Sequence, residues 1–285
     1  MVMTRKRYVR NESDIENLLK QGRGAGTGKD YKPYIFVREI PSLGRSHRVY
    51  GKRSGRVHHL LSDIEYAHYL AFDIDESVVD IREQFALDRD KTMKIAATLG
   101  FRHPKDPRSD TNLVMTTDLV ISYRRNAVQI DSAFSIKPAS QLSNNRVNEK
   151  LKIEQQYWSE KNISFQILTE RDIPLHLKRN LQWLRQYRDL SIFDEPFPGY
   201  YKDLLEHLLG FLSQANANDI KLCQACQWLD EYFACDPGSH LMMARHMLSN
   251  RIVLADLSRE QLWNIPVSEI SVNPYLYNID APWML

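Results

Sequence analysis

Residues 113–122, LVMTTDLVIS, constrain the fold more strongly than any other segment, because a predominantly apolar stretch rich in β-branched residues predicts a buried strand. Side chains alternate between the two faces of a strand, so Asp118 shares a face with Val114, Thr116 and Val120. A carboxylate on such a face is costly unless a partner or a metal ion compensates its charge. The segment therefore predicts a strand that carries a functional site.

A second strand is predicted at residues 127–137, directly before the break at Pro138. Alternation places Asp131, Ala133, Ser135 and Lys137 on one face and Val128, Ile130, Phe134 and Ile136 on the other. Lys137 is therefore expected at the end of a strand, beside a core face.

Residues 146–161 predict a helix and residues 164–169 another strand, and this succession indicates a parallel pair of strands joined by a crossover. On the helix, Glu154 interrupts an apolar stripe that includes Leu151 and Trp158. We interpret Glu154 as a supporting member of the site. The alternative is a partly exposed carboxylate at the helix edge.

Glu65 lies three residues after Ser62, at the start of a predicted helix, and this spacing is that of a capping box. Taken alone, the spacing favours the capping role. Together with Asp118 and Lys137, however, Glu65 completes a set that suits phosphodiester hydrolysis, since two carboxylates can hold a divalent cation while an ammonium steadies water or developing charge. Residues 77–87 predict a strand beside this helix.

Residues 40–62 contain no acidic residue and predict a strand, a glycine-bounded turn and a second strand. We expect this ribbon to contact phosphates through Arg45, Arg48, Lys52, Arg53, Arg56 and His58. The alternative is an ordinary solvated hairpin.

A glycine-rich stretch at residues 22–30, GRGAGTGKD, follows a short helix predicted at residues 13–20. It is not a phosphate-binding P-loop, because Arg23 stands where the first glycine is needed, Asp30 replaces the Ser or Thr, and no strand precedes it. We interpret the stretch as a flexible or DNA-apposed arm.

The C-terminal part is predicted to be mostly helical. Helices are expected at residues 174–189, 200–214, 219–233 and 239–250, with a strand at 251–257. Helix, turn, helix, strand is the order of a winged helix, a common duplex-binding module, and a generic helical domain for protein contacts is the alternative. The candidate recognition helix carries Arg245, His240 and His246 as its phosphate-seeking residues.

Cys223 and Cys226 have the spacing of half a zinc site, which Cys235 and His240 would complete. They serve equally well as small core residues of a helix, and we favour that interpretation. Three cysteines in one short stretch resemble no disulfide framework, so they indicate a reducing compartment.

A chain of 285 residues with 43% hydrophobic content can form two domains. Its formal net charge is only +2, so any nucleic-acid binding must come from local patches. No segment approaches the ~18 apolar residues of a membrane span, and no apolar signal region follows the basic start. We expect a soluble, non-secreted protein that has no membrane partner.

The sequence resembles the TnsA family, the endonuclease subunits of heteromeric cut-and-paste transposases. The resemblance is carried by GRGAGTGKDY, VREIPSLGRSHRVYGKRSGRVHHLLSDIEYAHYL, DIREQF, MTTDLV, SIKPA and LKIEQQYW. It is dense in the N-terminal part of the chain and looser in the C-terminal part, where GSHLMMARHMLSNRIVLADL is similar to the family's last helix and wing.

The resemblance implies an α/β fold with a restriction-endonuclease-like catalytic domain of the PD-(D/E)xK superfamily at residues 1–171, a mixed sheet flanked by helices. A mostly α winged-helix domain for partner contacts would follow at residues 172–285. The family's catalytic residues fall on Glu65, Asp118, Lys137 and Glu154. Glu65 is thereby implied to be a metal ligand, in addition to any capping role.

One position departs from the pattern. The superfamily usually has a carboxylate two residues before the catalytic Lys, where this chain has Ser135. A hydroxyl is a weaker oxygen ligand than a carboxylate, so coordination by Ser135 would place more weight on Glu65 and Asp118. A bridging water, Glu154 or the backbone carbonyl of Ile136 are the alternatives.

The resemblance further implies magnesium, with manganese as a substitute, and cleavage at the 5′ ends of a mobile element. Asp118 would anchor one or two ions, Glu65 would be the second ligand, and Lys137 would orient water or neutralise the phosphate. The implied partners are DNA at the transposon ends, a transposase subunit that makes the 3′ cuts, and an ATP-using regulator. The expected location is the bacterial cytoplasm, at the nucleoid.

Two rival functions remain at the level of sequence. One is a DNA-bridging assembly factor with a weakened nuclease fold, for which Ser135 is the only support. The other is a restriction or repair enzyme of the same superfamily.

Overall fold

The computed structural model describes residues 10–39, 44–126, 128–214 and 220–274. The chain divides into two compact units, Met1–Ile173 and Pro174–Leu285. The first unit is α/β and the second is mostly α. The helices and strands of the first unit are α1 (Glu12–Lys20), β1 (His47–Gly51), β2 (Arg56–Leu60), α2 (Asp63–Ile74), β3 (Val78–Ala86), α3 (Arg89–Thr98), β4 (Thr116–Arg125), β5 (Val128–Ile136), α4 (Asn145–Ser159) and β6 (Ser164–Leu168).

A four-stranded mixed sheet is the centre of the N-terminal unit, and its strand order is β3-β4-β5-β6. The first three strands are antiparallel, and β6 runs parallel to β5 after α4, which confirms the predicted parallel pair. The register pairs Leu119 with Phe134 and Val120 with Ala133. The same register brings the neighbouring residues Asp118 and Ser135 together.

The strand predicted at residues 113–122 begins and ends three residues later in the structure, at Thr116 and Arg125. The residues before it belong to another local structure, because the Leu113 amide donates to the carbonyl of Pro104 and the Leu87 amide donates to that of Met115. The predicted start of the next strand, Ala127, lies outside the described residues.

Helices cover both faces of the sheet. On one face, Trp158 and Ile153 of α4 share a core with Val120 and Ala133 of the sheet and with residues of α3. On the opposite face, Phe72 of α2 contacts Phe134, with ring centroids 4.9 Å apart. This sandwich confirms the predicted α/β class with a mixed sheet flanked by helices.

The glycine-rich stretch is part of the packed fold, so the first of the two predicted alternatives, a flexible arm, was wrong, and the second, a DNA-apposed arm, stays a prediction. Gly24 has a φ of +73°, and a Cβ there would clash with the side chain of Ala86 on β3. The Gly28 amide donates to Asp80 Oδ2 at 3.1 Å. Glycine is required here because the backbone itself lies against the edge strand. The preceding helix, predicted to begin at residue 13, begins at Glu12 and is capped by Asn11.

The C-terminal unit contains α5 (Leu175–Arg185), α6 (Tyr200–Gln214), α7 (Leu222–Tyr232), α8 (Ser239–Ser249), β7 (Val253–Leu254) and β8 (Ser271–Val272). The helix bounds agree with the predictions for α6 and α8, whereas the predicted start of α7, Asp219, lies outside the described residues. The strand predicted at residues 251–257 is only two residues long, and it pairs with β8. Helix α8 packs against α5, α6 and α7, which makes it the central helix of this unit.

Across the described ranges, no helix combines the length and the apolar character that crossing a membrane requires.

Candidate active site

Asp118 and Lys137 meet where β4 and β5 lie side by side. Asp118 Oδ2 accepts hydrogen bonds from Lys137 Nζ and from the Ile136 amide, both at 2.6 Å, and from Ser135 Oγ at 3.3 Å. Within the described part of the chain, Asp118 Oδ1 accepts no hydrogen bond. One oxygen of this carboxylate is therefore held in place by the protein, and the other is left for a ligand.

The charge state of Lys137 follows from its neighbours. Burial alone would lower the pKa of its ammonium, but the negative charges of Asp118 and Glu154 outweigh burial and raise the pKa. Lys137 is therefore a cation at neutral pH. It can donate hydrogen bonds to water or phosphate, but it cannot accept a proton.

Glu65 occupies the first turn of α2, whose N-cap is Ser62. Its amide donates to Ser62 Oγ at 3.1 Å, Ser62 Oγ donates to its Oε1 at 3.0 Å, and the Leu61 amide donates to its Oε2 at 2.9 Å. The side chain is also buried, and burial together with the nearby charge of Asp118 raises the pKa of the Glu65 carboxyl. Capping and proximity to Asp118 are thus combined in one residue.

Glu154 is 4% exposed, so it is not the partly exposed helix-edge carboxylate that the sequence left open as an alternative. Its Oε1 accepts a hydrogen bond of 2.7 Å from Thr117, whose hydroxyl also accepts one of 2.8 Å from Trp158. Burial raises the pKa of Glu154 to about 8, against the opposing effect of Lys137. The site therefore contains a second carboxyl that lacks sufficient positive charge.

Gln84 belongs to this cluster although it was not among the residues predicted from sequence. Its φ of 48° is unusual for a residue with a side chain. Its side-chain Nε2 donates to Glu65 Oε2 at 3.2 Å, and its side-chain Oε1 accepts from the Thr116 hydroxyl at 3.3 Å. The available signal was an uncharged polar residue between Glu83 and Phe85 at the end of a strand. That signal is too weak to stand out, because strain is not visible in a sequence.

A cavity of about 330 Å³ lies against this cluster. Asp118, Lys137 and Glu154 line it together with Lys150 of α4, and the segment of residues 113–116 contributes apolar side chains. A site with one apolar side and one charged side suits a substrate that has both a sugar and a phosphate.

The donor set fits a divalent cation that is only partly held by protein. No group of three or more His, Cys, Asp and Glu side chains among the described residues is arranged as a ready metal site. Mg²⁺, however, is usually held by one or two carboxylates, with water and substrate phosphate as its remaining ligands. Asp118 has one oxygen available for such an ion. Glu65 is the second carboxyl that could contribute, because the charge of Asp118 reaches it and raises its pKa. Ser135 donates to Asp118 and is 1% exposed, which places its hydroxyl beside the same carboxylate.

Two of the predicted phosphate contacts are wrong. Arg56 and His58 lie on the buried face of β2, where alternation directs them inward. Both Nη atoms of Arg56 donate to the Glu83 carboxylate, at 2.8 and 2.7 Å. His58 contacts Glu83 at 2.8 Å through Nδ1 and Ser54 at 2.7 Å through Nε2. These groups are internal partners of an acid, so they are not available to DNA.

The other four predicted contacts, Arg45, Arg48, Lys52 and Arg53, are exposed on the β1–β2 hairpin and its approach. Arg45 donates to Asp63 at 3.1 Å. Their role in DNA binding stays a prediction.

In the C-terminal unit, the residues predicted to seek phosphate on α8 are engaged inside the protein. His240 and His246 are fully buried, and His240 Nδ1 contacts Asp230 Oδ1 at 2.6 Å. The guanidinium of Arg245 lies over the rings of Trp183 and Tyr187. These contacts argue against α8 as a recognition helix and favour the alternative of a helical domain for protein contacts.

Cys226 is buried in α7, as expected for the interpretation that it is a small core residue. His240 cannot readily complete a zinc tetrahedron, because its second ring nitrogen, Nε2, lies 3.2 Å from His207 while its first contacts Asp230.

Comparison with known proteins agrees with a nuclease. Residues 75–170 match the family model described as TnsA-like endonuclease N terminal, and residues 172–257 match the one described as TnsA endonuclease C terminal. The chain is 35% identical over 243 residues to the Transposon Tn7 transposition protein TnsA of Escherichia coli, an alignment that covers 85% of each protein. Asp118, Lys137 and Glu154 lie in the first matched range, and Glu65 precedes it.

Fold, site and matches together define an endonuclease of DNA transposition. The chain belongs to the TnsA family. It is an endonuclease subunit of a transposase.

Proposed function

We propose that this protein is a metal-dependent endonuclease that cuts DNA at the 5′ ends of a mobile element. The observation that carries the proposal is that Asp118, Lys137 and the buried Glu154 line one cavity, in a chain of the TnsA family. The buried carboxyl of Glu65 is close enough to Asp118 for the charge of Asp118 to raise its pKa. Three acids beside one lysine have a deficit of positive charge, and a divalent cation would remove it.

In the proposed site, Asp118 and Glu65 hold the cation, magnesium or manganese as its substitute, with Ser135 as a weak third ligand. The cation, when bound, supplies Lewis-acid activation of water and neutralises phosphate charge. Lys137 donates from its ammonium to water or to a phosphate oxygen. Asp118 keeps Lys137 charged, and the buried Glu154 carboxyl beside them accepts a hydrogen bond from the Thr117 hydroxyl.

The finer architecture is part of the proposal. We assign residues 1–171 to a restriction-endonuclease-like domain of the PD-(D/E)xK superfamily and residues 172–285 to a winged-helix-like domain. The mixed sheet with helices on both faces supports the first assignment. The short β7–β8 pair that follows α8 supports the second. Because the phosphate-seeking residues of α8 are engaged internally, we assign the second domain to protein contacts.

Transposition requires further subunits. We propose a transposase subunit that makes the 3′ cuts and joins strands, and an ATP-using regulator that contacts the C-terminal domain. The relative named above is a transposition protein, which supports this assignment. A DNA substrate would place the protein at the bacterial nucleoid.

Cleavage by active-site variants tests the proposal. In a reaction reconstituted with the transposase partner, Mg²⁺ and DNA carrying the element ends, Asp118→Asn and Lys137→Ala are each expected to reduce 5′-end cleavage by about 10²–10³-fold or more, because each removes a group that acts on the transition state. Gel analysis of the 5′ ends gives the rate.

Asp131→Asn is the matched control. Asp131 is a carboxylate on the neighbouring stretch of β5 that bonds to Arg82 at 2.7 Å and lies outside the cavity lining. The Asp131→Asn variant should cleave DNA at nearly the wild-type rate. Unchanged cleavage by either active-site variant would refute the assignment, and a wild-type protein that never nicks with Mg²⁺ or Mn²⁺ would favour an assembly factor. Cleavage without the partner at a recognition sequence of its own would favour a restriction enzyme.

A further inference from the structure

Lys150 lines the same cavity as Asp118, Lys137 and Glu154. It lies on α4 four residues before Glu154, about one helical turn, so both side chains are on one face of the helix. The proposed roles of Asp118, Glu65 and Lys137 do not involve Lys150.

The ammonium of Lys150 has no acidic partner. Among the ion pairs of the described residues, none includes Lys150, and the nearby acid Glu149 bonds to Arg146 at 2.5 Å. Lys137, the other lysine of the cavity, is engaged by Asp118. Lys150 is therefore a cation at the cavity that forms no ion pair with a carboxylate of the described residues.

The neighbours of Lys150 make this arrangement unfavourable in the free protein. Burial, Arg146 and Lys137 all lower the pKa of Lys150, and no opposing charge raises it. Placing a cation beside two others costs free energy unless an anion enters among them. A phosphodiester is an anion whose oxygens accept hydrogen bonds from an ammonium.

Building on the proposed function, we infer that Lys150 binds a phosphate oxygen of the DNA backbone at the cleavage site, as a substrate-positioning residue distinct from the Asp118–Lys137 pair. The cavity supplies the location: Lys150 and Lys137 both line it, so one phosphate, or two adjacent phosphates, can be contacted by both ammoniums. The apolar segment of residues 113–116 lines the same cavity and suits the sugar between phosphates.

Lys152 offers a matched control on the same helix. It lies two residues from Lys150 and is exposed, as Lys150 is, but it is not in the cavity lining, and its ammonium is 5.8 Å from the ring centroid of Phe101. Replacement of either lysine by Met removes one positive charge from the same helix, so a difference between them reports position rather than net charge.

Binding without cleavage is the first measurement. The full-length protein is mixed with a fluorescein-labelled DNA duplex in EDTA, and Kd is measured by anisotropy over a series of salt concentrations. Lys150→Met is expected to weaken binding severalfold and to reduce the slope of log Kd against log salt by about one, the value for one lost phosphate contact. Lys150→Arg should retain the slope, and so should Lys152→Met.

Cleavage in the reconstituted reaction is the second measurement. Lys150→Met should raise KM for end DNA more than it lowers kcat, because the contact positions substrate. If Lys150→Met matches Lys152→Met in both the salt slope and KM, the inference is overturned. Thermal unfolding of each variant checks folding, and Lys150→Arg keeps the test decisive if the Met variant is unstable.

The two proposals fail separately. If Asp118→Asn abolishes cleavage and Lys150→Met changes nothing, only the phosphate contact is refuted. If Asp118→Asn still cleaves, the proposed catalytic site is refuted, whatever the binding data for Lys150 show.

Discussion

The N-terminal unit contains two buried carboxylate clusters that differ in their charge balance. Behind the β1–β2 hairpin, Glu83 is fully buried and accepts hydrogen bonds from both Nη atoms of Arg56 and from the His59 amide. Its carboxylate also contacts His58 Nδ1 at 2.8 Å. In the cavity cluster, Glu154 is almost as buried but is hydrogen-bonded by hydroxyls, such as that of Thr117, and shares one lysine with Asp118 and Glu65.

Their pKa values move in opposite directions for this reason. Burial alone would raise both. At Glu83, His58 and Arg56 outweigh burial and lower the pKa to about 2. At Glu154, Lys137 only partly opposes burial, and the pKa rises to about 8. The charge of a buried acid that is paired with a guanidinium is neutralised within the fold. A buried acid without such a partner is ionised more readily when a cation binds beside it.

Removal of the Glu83 charge should produce the largest effect on stability. Glu83→Gln leaves Arg56 and His58 buried without an anionic partner, so we expect a loss of roughly 3–5 kcal/mol in the free energy of unfolding. Urea denaturation followed by circular dichroism measures it. Glu16→Gln is the control, because Glu16 forms an exposed pair with Lys20 on α1 and should change stability by less than about 0.5 kcal/mol.

The acid dependence of the same variant checks the origin of the effect. The pKa of Glu83 is lowered in the folded state, so its contribution is complete above the unfolded value of about 4.5 and is lost as pH falls toward about 2. The difference in stability between wild type and Glu83→Gln should therefore shrink across that range. A difference that does not depend on pH there would mean that packing, rather than charge, explains the loss.

Glu154→Gln should behave in the opposite way. Because burial keeps the Glu154 carboxyl largely protonated at neutral pH, an amide of the same shape can replace it and still accept the Thr117 hydrogen bond. We expect stability to change by less than about 1 kcal/mol while 5′-end cleavage falls, measured by denaturation and by the reconstituted reaction. A loss as large as that of Glu83→Gln would contradict the proposed contrast between the clusters.

Ser135→Gln should have the smallest effect and would sharpen the description of the cavity cluster. The side chain at this position lies 3.3 Å from Asp118 Oδ2, and an amide oxygen can serve as a ligand to a hard cation. We expect cleavage and its Mg²⁺ dependence to be preserved or strengthened. A normally folded but inactive variant, in assays over a range of Mg²⁺ concentrations, would show that position 135 does not face the cation.

Much of this site was predictable from local patterns. The alternation along β5 correctly separated Ala133, which packs toward α4, from Phe134, which packs toward α2. The lone Asp118 in an apolar strand and the terminal Lys137 were predicted to matter, and they are in contact. The spacing of Ser62 and Glu65 correctly predicted a capped helix. Each of these signals is contained in a few consecutive residues.

The errors arose where a distant residue decides the outcome. Arg56 was expected on a basic surface, but its partner Glu83 lies 27 positions away on another strand. The glycine-rich stretch was expected to be flexible, but Ala86 lies against it. His240 was assigned to a DNA-reading helix, although Asp230 of α7 engages it in the interior.

The sequence by itself predicted most of the helices and strands around the site, although not α3 or β8, because hydrophobic periodicity is a local property of the chain. Its resemblance to known motifs indicated the α/β class and the family of endonucleases. Only the tertiary structure decided which charged groups are neutralised inside the protein and which remain available in the cavity. The physical reason is that the free energy of a buried charge depends on all the charges and dipoles packed around it, and these come from elements that are far apart in sequence.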